Sequence, residues 1–313
     1  MSGKAGLIGE AEAPRIHRRR SPAPHRKNQV PARAGPVGLH RGLTIVQGFE
    51  AIIASCLCHL QLNLALVVDR RNAEALHQAR VAIRRLRSAL AMFAPLTAGR
   101  QLTPIKNELR WLVSEFGDAR DFDVYLERDL LEDQRCFAQE RREDAYDRAA
   151  EAITSLRSRL LFLDLLAWMR EGKWRTGSNA RKMLDPFIDR RIDRLWEKVL
   201  GSGTISRMND HRRHHLRIRV KKLRYALEFT EGLHSRRPRR KRRVGKALRE
   251  AQQSLGALQD IVTAGSMMIL NPCLATKQPS ARQQKHLVRD ADRAISHLRK
   301  TGPYWHEKRR QRA

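Results

Sequence analysis

His77, Arg80, Arg84 and Arg87 return as His214, Arg217, Lys221 and Arg224 when His77–Leu90 (HQARVAIRRLRSAL) is laid on His214–Leu227 (HHLRIRVKKLRYAL). On a helix turning about 100° per residue, Arg80, Arg84 and Arg87 fall at about 300°, 340° and 280° from His77. Ala79, Ala82, Ile83, Leu86, Ala89 and Leu90 fill the arc from about 120° to 240°. One face is apolar and an adjoining stripe is cationic. The second copy repeats the arrangement, with Leu216, Val220, Leu223, Ala226 and Leu227 on its apolar face. A row of guanidinium and ammonium groups at one-turn intervals can follow an extended polyanion, and the forked guanidinium suits two-point contact with phosphate oxygens. Arg85 and Lys222, matched to each other, fall off the stripe and are expected to be solvated.

His77 and His214 stand one turn before the first arginine of each stripe, where an imidazole can donate to a phosphate oxygen or hold a neighbouring side chain. His211, His214 and His215 cluster, but no Cys or carboxylate at ligand spacing completes a metal set, and no cofactor is implied. Downstream, Phe116-Gly-Asp-Ala-Arg-Asp121 ends 44 residues after the first His, and Leu255-Gly-Ala-Leu-Gln-Asp260 ends 46 after the second. Asp118, Asp121 and Asp123 could hold Mg²⁺ for a phosphohydrolase. The alternative is an ion pair or cap at a helix junction that orients Arg120. Asp121 recurs as Asp260 whereas Asp123 has no counterpart, which favours supporting roles for Arg120, Asp121 and Asp260 and argues against an enzyme. Tyr225 and Glu228 flank the second stripe, and Glu228 can pair with Arg224 at i,i+4 to fix arginine geometry.

The elements that must position these groups read as helices throughout. Residues 43–68 have helical apolar spacing, Asn72 caps a helix from about Ala73 to Pro95, and Thr103-Pro104 opens a third. The span 121–171, almost without Gly and Pro, reads as one short and one long helix. In the second half Asp185-Pro186 opens a helix to about Leu200, Gly201-Ser-Gly203 breaks it, and Asn209 or Asp210 caps the basic helix. A helix to about Ala264 and another at Ala281–Lys300 follow. Arg236–Arg243, with seven basic residues in eight, spans a loop and the start of the first of these. No stretch alternates as a strand does. The expected fold is all-α, two pseudo-twofold-related four-helix bundles with long helices, repeat one at 43–172 and repeat two at 180–305. Residues 1–42 read as a disordered basic tail containing five prolines, and 306–313 as a basic C-terminal tail.

The chain of 313 residues is long enough for a proper core. Its 63 Lys and Arg against 33 Asp and Glu, a net charge of +30, call for a polyanionic partner, since crowded like charges repel unless neutralised. Charge alone does not distinguish nucleic acid, an anionic membrane and an inorganic polyanion. Aromatic residues make up 5% of the chain and do not interleave with the stripes, so base stacking is poorly supported. The apolar run at Cys56–Val68 is interrupted by His59, Gln61 and Asn63 and falls short of the roughly 20 residues a bilayer requires. With no apolar core to a signal peptide in Met1–Gly42, the expectation is a soluble, cytoplasmic protein without membrane contact. Cys56, Cys58, Cys136 and Cys273 form no CxxC pair and read as buried thiols of a reducing compartment.

His77-x-x-Arg80-x-x-x-Arg84-Arg85-x-Arg87, Phe116-Gly117-x-x-Arg120-Asp121-x-Asp123, His214-x-x-Arg217-x-x-x-Lys221-Lys222-x-Arg224-Tyr225-x-x-Glu228 and Leu255-Gly256-x-x-Gln259-Asp260, in this order, resemble the CHAD family, the conserved-histidine α-helical domain. Pro303-Tyr304-Trp305 also looks like the aromatic ending common there. The resemblance covers about Leu43 to Trp305. It implies two four-helix bundles enclosing a basic channel that binds inorganic polyphosphate, often with location at polyphosphate granules. Carried over, the polymer-facing groups are His77, Arg80, Arg84 and Arg87 with His214, Arg217, Lys221 and Arg224. The competing expectation, motivated by the charge and by Arg236–Arg243, is a non-specific binder of RNA or DNA backbone.

Overall fold

Asn72 and Asn209 set the phase of the two helices that matter most. In the computed structural model, which describes residues 30–306 apart from 98, 100, 235 and 271–278, each asparagine is extended and its side chain accepts a backbone N–H three residues on, from Ala75 and from Arg212. Such caps satisfy an orphan donor of the first turn and fix where the helix begins. Both lie five residues before the aligned histidine, so the helices Ala73–Met92 (α2) and Asp210–Phe229 (α8) start their stripes in the same phase.

Ile45–Arg70 forms α1, and after α2 come α3 (Leu102–Glu115), α4 (Gly117–Leu126), α5 (Glu132–Thr154) and α6 (Leu156–Glu171). The second half contains α7 (Leu184–Leu200), then α8, α9 (Pro238–Leu270) and α10 (Ala281–Thr301). No strand occurs among the described residues; Thr44 and Met183 meet in one antiparallel bridge that ties the starts of α1 and α7 together. The all-α class with long helices stands. The expectation of four helices holds for the second half, while residues 45–171 form six. The sequence reading separates α3 from α4 but not α5 from α6. Phe116 leaves the helix at φ −88° and ψ 1°, separating α3 from α4. Ser155 is extended and accepts from Ser158 N, which ends α5 and caps α6.

Two starts differ from the sequence reading. Thr103-Pro104 does not cap α3, which begins at Leu102 without a side-chain cap, and Asp185-Pro186 lies in the first turn of α7 rather than at its cap. Proline is tolerated there because first-turn N–H groups lack helical partners.

Residues from Pro31 onward form one compact unit. Phe49 of α1 packs on Phe93 beyond α2 with ring centroids 4.8 Å apart, and Phe93 packs on Phe187 of α7 at 5.2 Å, so one aromatic row joins the two halves. Burial of each such ring contributes about 1.5–3 kcal/mol. Arg191 of α7 donates to the carbonyls of Met92 and Ala91 in the last turn of α2. Trp305 is buried against Trp196 and donates to Asp193 Oδ1 at 2.8 Å, which seats the aromatic ending on α7.

Among the described residues α1 is the helix long and apolar enough to cross a membrane, so its apolar stretch is longer than the sequence reading allowed. In the fold half of that stretch is buried, with Phe49, Ile52, Ile53 and Leu60 in the core. Its polar His59 and Asn63 are also buried. Asn63 exchanges two hydrogen bonds with the backbone of Ala32, and His59 Nε2 contacts Ala32 O and Gln78 Oε1 at 3.1 Å each. Val37 and Leu39, assigned above to the N-terminal tail, are buried as well. Residues 1–29 of that tail lie outside the described residues, as do 307–313 and Cys273. Of the other cysteines Cys56 is buried, but Cys58 and Cys136 are exposed, contrary to the reading of all as buried thiols.

Candidate functional site

α2 and α8 pack against each other and turn their stripes into one cavity of about 550 Å³. From α2 it receives His77, Arg80 and Arg84, and from α8 Arg217, Lys221, Arg224 and Tyr225. The i, i+3, i+7 spacing of one helix and the i, i+4, i+7, i+8 spacing of the other put these groups on single faces. α4 adds Arg120 and Asp121, and α9 adds Gln252, Gly256 and Asp260. Seven arginine and lysine side chains line the cavity against two carboxylates, Asp121 and Asp260.

This imbalance shows in the individual groups. Lys221 is pushed down to about 7, first by burial and then by the charges of Arg217, Arg84 and Arg224. Arg80 and Arg217 are also lowered, mainly by burial. Burial, together with Arg120 and Arg84, lowers His77 and keeps its imidazole neutral near pH 7. Arg80 is anchored by donating to the carbonyl of Val113 on α3 at 3.0 Å. The Nε atoms of Arg84, Arg217 and Arg224 are buried and have no hydrogen-bond partner among the described residues. Buried cationic donors without an acceptor are costly unless a ligand meets them.

Arg87, His214 and Glu228 do not line this cavity. Arg87 is half-buried beside Arg110, whose charge adds to the burial that lowers it. His214 Nδ1 donates to Gln259 Oε1 at 2.6 Å and so holds α8 to α9. Glu228 pairs with Arg224 at 3.0 Å, as its spacing indicates, and also with Arg85 at 2.9 Å.

Arg85 is the main correction at the site. It is not solvated but 4% exposed, bonded to Glu228 across the α2–α8 contact and stacked over Phe229 at 4.8 Å. Its counterpart Lys222 is exposed, as expected. The wheel puts both at about 80° from their histidines and cannot tell them apart. α2 is covered on that side by α8, and this is a tertiary fact.

The three aspartates of the first half go to three environments. Asp123 is buried, accepting from Arg142 Nε at 2.8 Å and from the Tyr146 hydroxyl at 2.9 Å. Asp118 pairs with Arg148 at 3.0 Å, and Asp121 alone reaches the cavity mouth. His211 and His215 bring their Nε2 atoms within 3.1 Å of each other on the exposed side of α8. Arg128, Tyr125 and Gln252 line the cavity and were not singled out from sequence. Gln252 carried a usable signal, since Gln252, Gly256 and Asp260 share one helical face; Arg128 carried none.

No functionally curated protein matches the chain. The crystal structure of the CHAD domain from the plant Ricinus communis superposes with a TM-score of 0.69 at 30% identity, over 88% of this chain and 94% of that one. PptA from Streptomyces chartreusis gives a TM-score of 0.48 at 14% identity, over 83% of this chain and 96% of its own. The sequence model of the CHAD domain matches residues 51–268, which hold both stripes and both downstream Asp motifs. With that span matched and a CHAD domain of known structure aligned over nearly its whole length, this chain belongs to the CHAD domain family.

Proposed function

We propose that this protein binds inorganic polyphosphate in the cavity between α2 and α8 and acts as a binding module without catalysis. The observation that carries the reading is the set of buried, unpartnered guanidinium Nε atoms of Arg84, Arg217 and Arg224 around one cavity. A linear polyanion of closely spaced phosphates offers each of them an acceptor oxygen, and it also relieves the mutual repulsion that adds to burial in lowering Lys221. The family resemblance points to the same ligand. Nucleic acid fits less well, because the cavity's Tyr125 and Tyr225 are themselves buried and present no open face for a base. Binding without hydrolysis is supported by the aspartates, since Asp118 and Asp123 are engaged by arginines away from the cavity.

Titration with long-chain polyphosphate at two salt concentrations tests this. Tight binding that weakens steeply with salt is expected, by the counterion-release argument that holds for DNA. Arg84→Glu with Lys221→Glu should lower affinity by about 100-fold or more, at about 1.5–3 kcal/mol for each charge-assisted contact, with helix content unchanged. Unchanged affinity in that double variant, or displacement of polyphosphate by RNA or DNA at equal phosphate concentration, would sink the reading.

A further inference from the structure

We propose that the anion site continues beyond the central cavity as one groove between α8 and α9, past Arg224, to a second cationic subsite at Arg242 and Arg249. A long polyphosphate chain would then leave the protein over the basic first turns of α9. The inference rests on the polyphosphate reading above and extends it to the path of the polymer.

A second cavity of about 430 Å³ lies beside the first, and Arg224 lines both. α9 presents Pro238, Arg242, Gly245 and Arg249 to the second cavity. It presents Gln252, Gly256, Asp260 and Thr263 to the first. Successive members of this series are three or four residues apart, so both cavities are floored by a single unbroken face of one helix. That face runs for about 37 Å at about 1.5 Å per residue. The opposite wall behaves alike. Arg217, Lys221 and Arg224 of α8 lead, at the same helical spacing, to Glu228 in the second cavity, and Glu231 follows in the turn after α8.

Those two acids do not oppose an anion. Glu228 is already bonded to Arg85 and Arg224, and Glu231 to Lys241 at 2.8 Å. Arg242 and Arg249 are exposed and make no ion pair among the described residues. Gly245 lies between them and keeps the floor low; a Cβ there would come within 3.4 Å of Arg249 Nη1. Arg239, Arg240 and Arg243 follow at the exposed start of α9, where the free N–H groups of the first turn add positive potential. In the first half Arg87, the counterpart of Arg224, lies outside the central cavity, so this exit is built on the second half.

The test compares Arg242→Glu/Arg249→Glu with the wild type, using tripolyphosphate and a long-chain polyphosphate as separate ligands. A control, Arg159→Glu/Arg170→Glu, makes the same change in net charge on exposed positions of α6. The groove variant is expected to lose about tenfold or more in affinity for the long chain while tripolyphosphate binding changes less than about twofold, and the control is expected to lose much less. Long-chain affinity equal to wild type, equal losses for both ligands, or an equal loss in the α6 control would each overturn the groove. If the wild type binds neither ligand at low salt, the polyphosphate reading itself fails and takes the groove with it. A wild type that binds both, with a groove variant that also binds both unchanged, removes the groove alone.

Discussion

The two halves carry matched motifs and use them differently. In the first, the Phe116-Gly117 step breaks the backbone into α3 and α4, whereas the matching Leu255-Gly256 step lies inside the continuous helix α9. In the first, His77 faces the cavity, whereas His214 is held by Gln259. Arg87 lies outside the cavity, whereas Arg224 lines it. Arg85 is buried in an ion pair, whereas Lys222 stands in solvent. A repeated motif therefore supplies a repeated set of residue types, and the neighbours of each helix assign the roles. α2 is packed among α1, α3, α4 and α8, which covers positions that α8 leaves open at the same helical angle.

The sharpest way to break the comparison is at the Arg85/Lys222 pair. Arg85→Ala leaves Glu228 short of a partner and removes a cation stacked on Phe229. Loss of one member of a fully buried pair costs about 3–5 kcal/mol; because Glu228 is partly exposed, about 2–3 kcal/mol is expected here. Lys222→Ala should change stability by less than about 0.5 kcal/mol. Denaturant midpoints of the two variants check this, and equal values would mean that the α2–α8 ion pair does not distinguish the halves.

A second difference is that Arg84 is matched by a lysine, Lys221, which titrates in an accessible range. Its folded value near 7 lies far below that of an exposed lysine, so above about pH 7 the free protein has already lost this proton. A bound polyanion restores the charged form, and binding takes up a proton. Affinity should therefore fall as pH rises from about 7.5 to about 9, by up to about tenfold per pH unit. This window avoids terminal phosphate titration, at about pH 6. Lys221→Arg should flatten the profile; isothermal titration in two buffers of different ionisation enthalpy reads the proton directly. A flat profile in the wild type would place Lys221 away from the bound anion.

The smallest expected effect separates the histidines. His77→Ala removes one donor from the cavity and should weaken polyphosphate binding by about 3–10-fold, at about 0.5–1.5 kcal/mol per hydrogen bond. His214→Ala should leave affinity within about twofold and lower the melting temperature through the lost Gln259 bond. The reverse pattern would show that the cavity is read from the second half instead.

Several features were legible because they depend on neighbours along the chain. Asn72 and Asn209 announce the starts of α2 and α8, the cationic stripes follow from helical spacing, and the i,i+4 pairing of Glu228 with Arg224 follows from the same rule. The break at Ser155 carries no Gly or Pro and rests on an extended serine that caps the next helix, a weaker signal inside a run of good helix formers. Gln252 and Asp260 could be placed on one face, but nothing in the sequence said that the face turns toward α2.

By itself the sequence determined an all-α chain with two basic helices in matched phase and a charge that demands an anionic partner, because helix formation, capping and amphipathicity are set within a few residues. The tertiary structure decided that both stripes share one cavity, that Arg85 is buried while Lys222 is not, and that Arg224 opens onto a second cavity. Those outcomes depend on which helix covers which face, and burial is a property of contacts between segments as distant as Arg85 and Glu228.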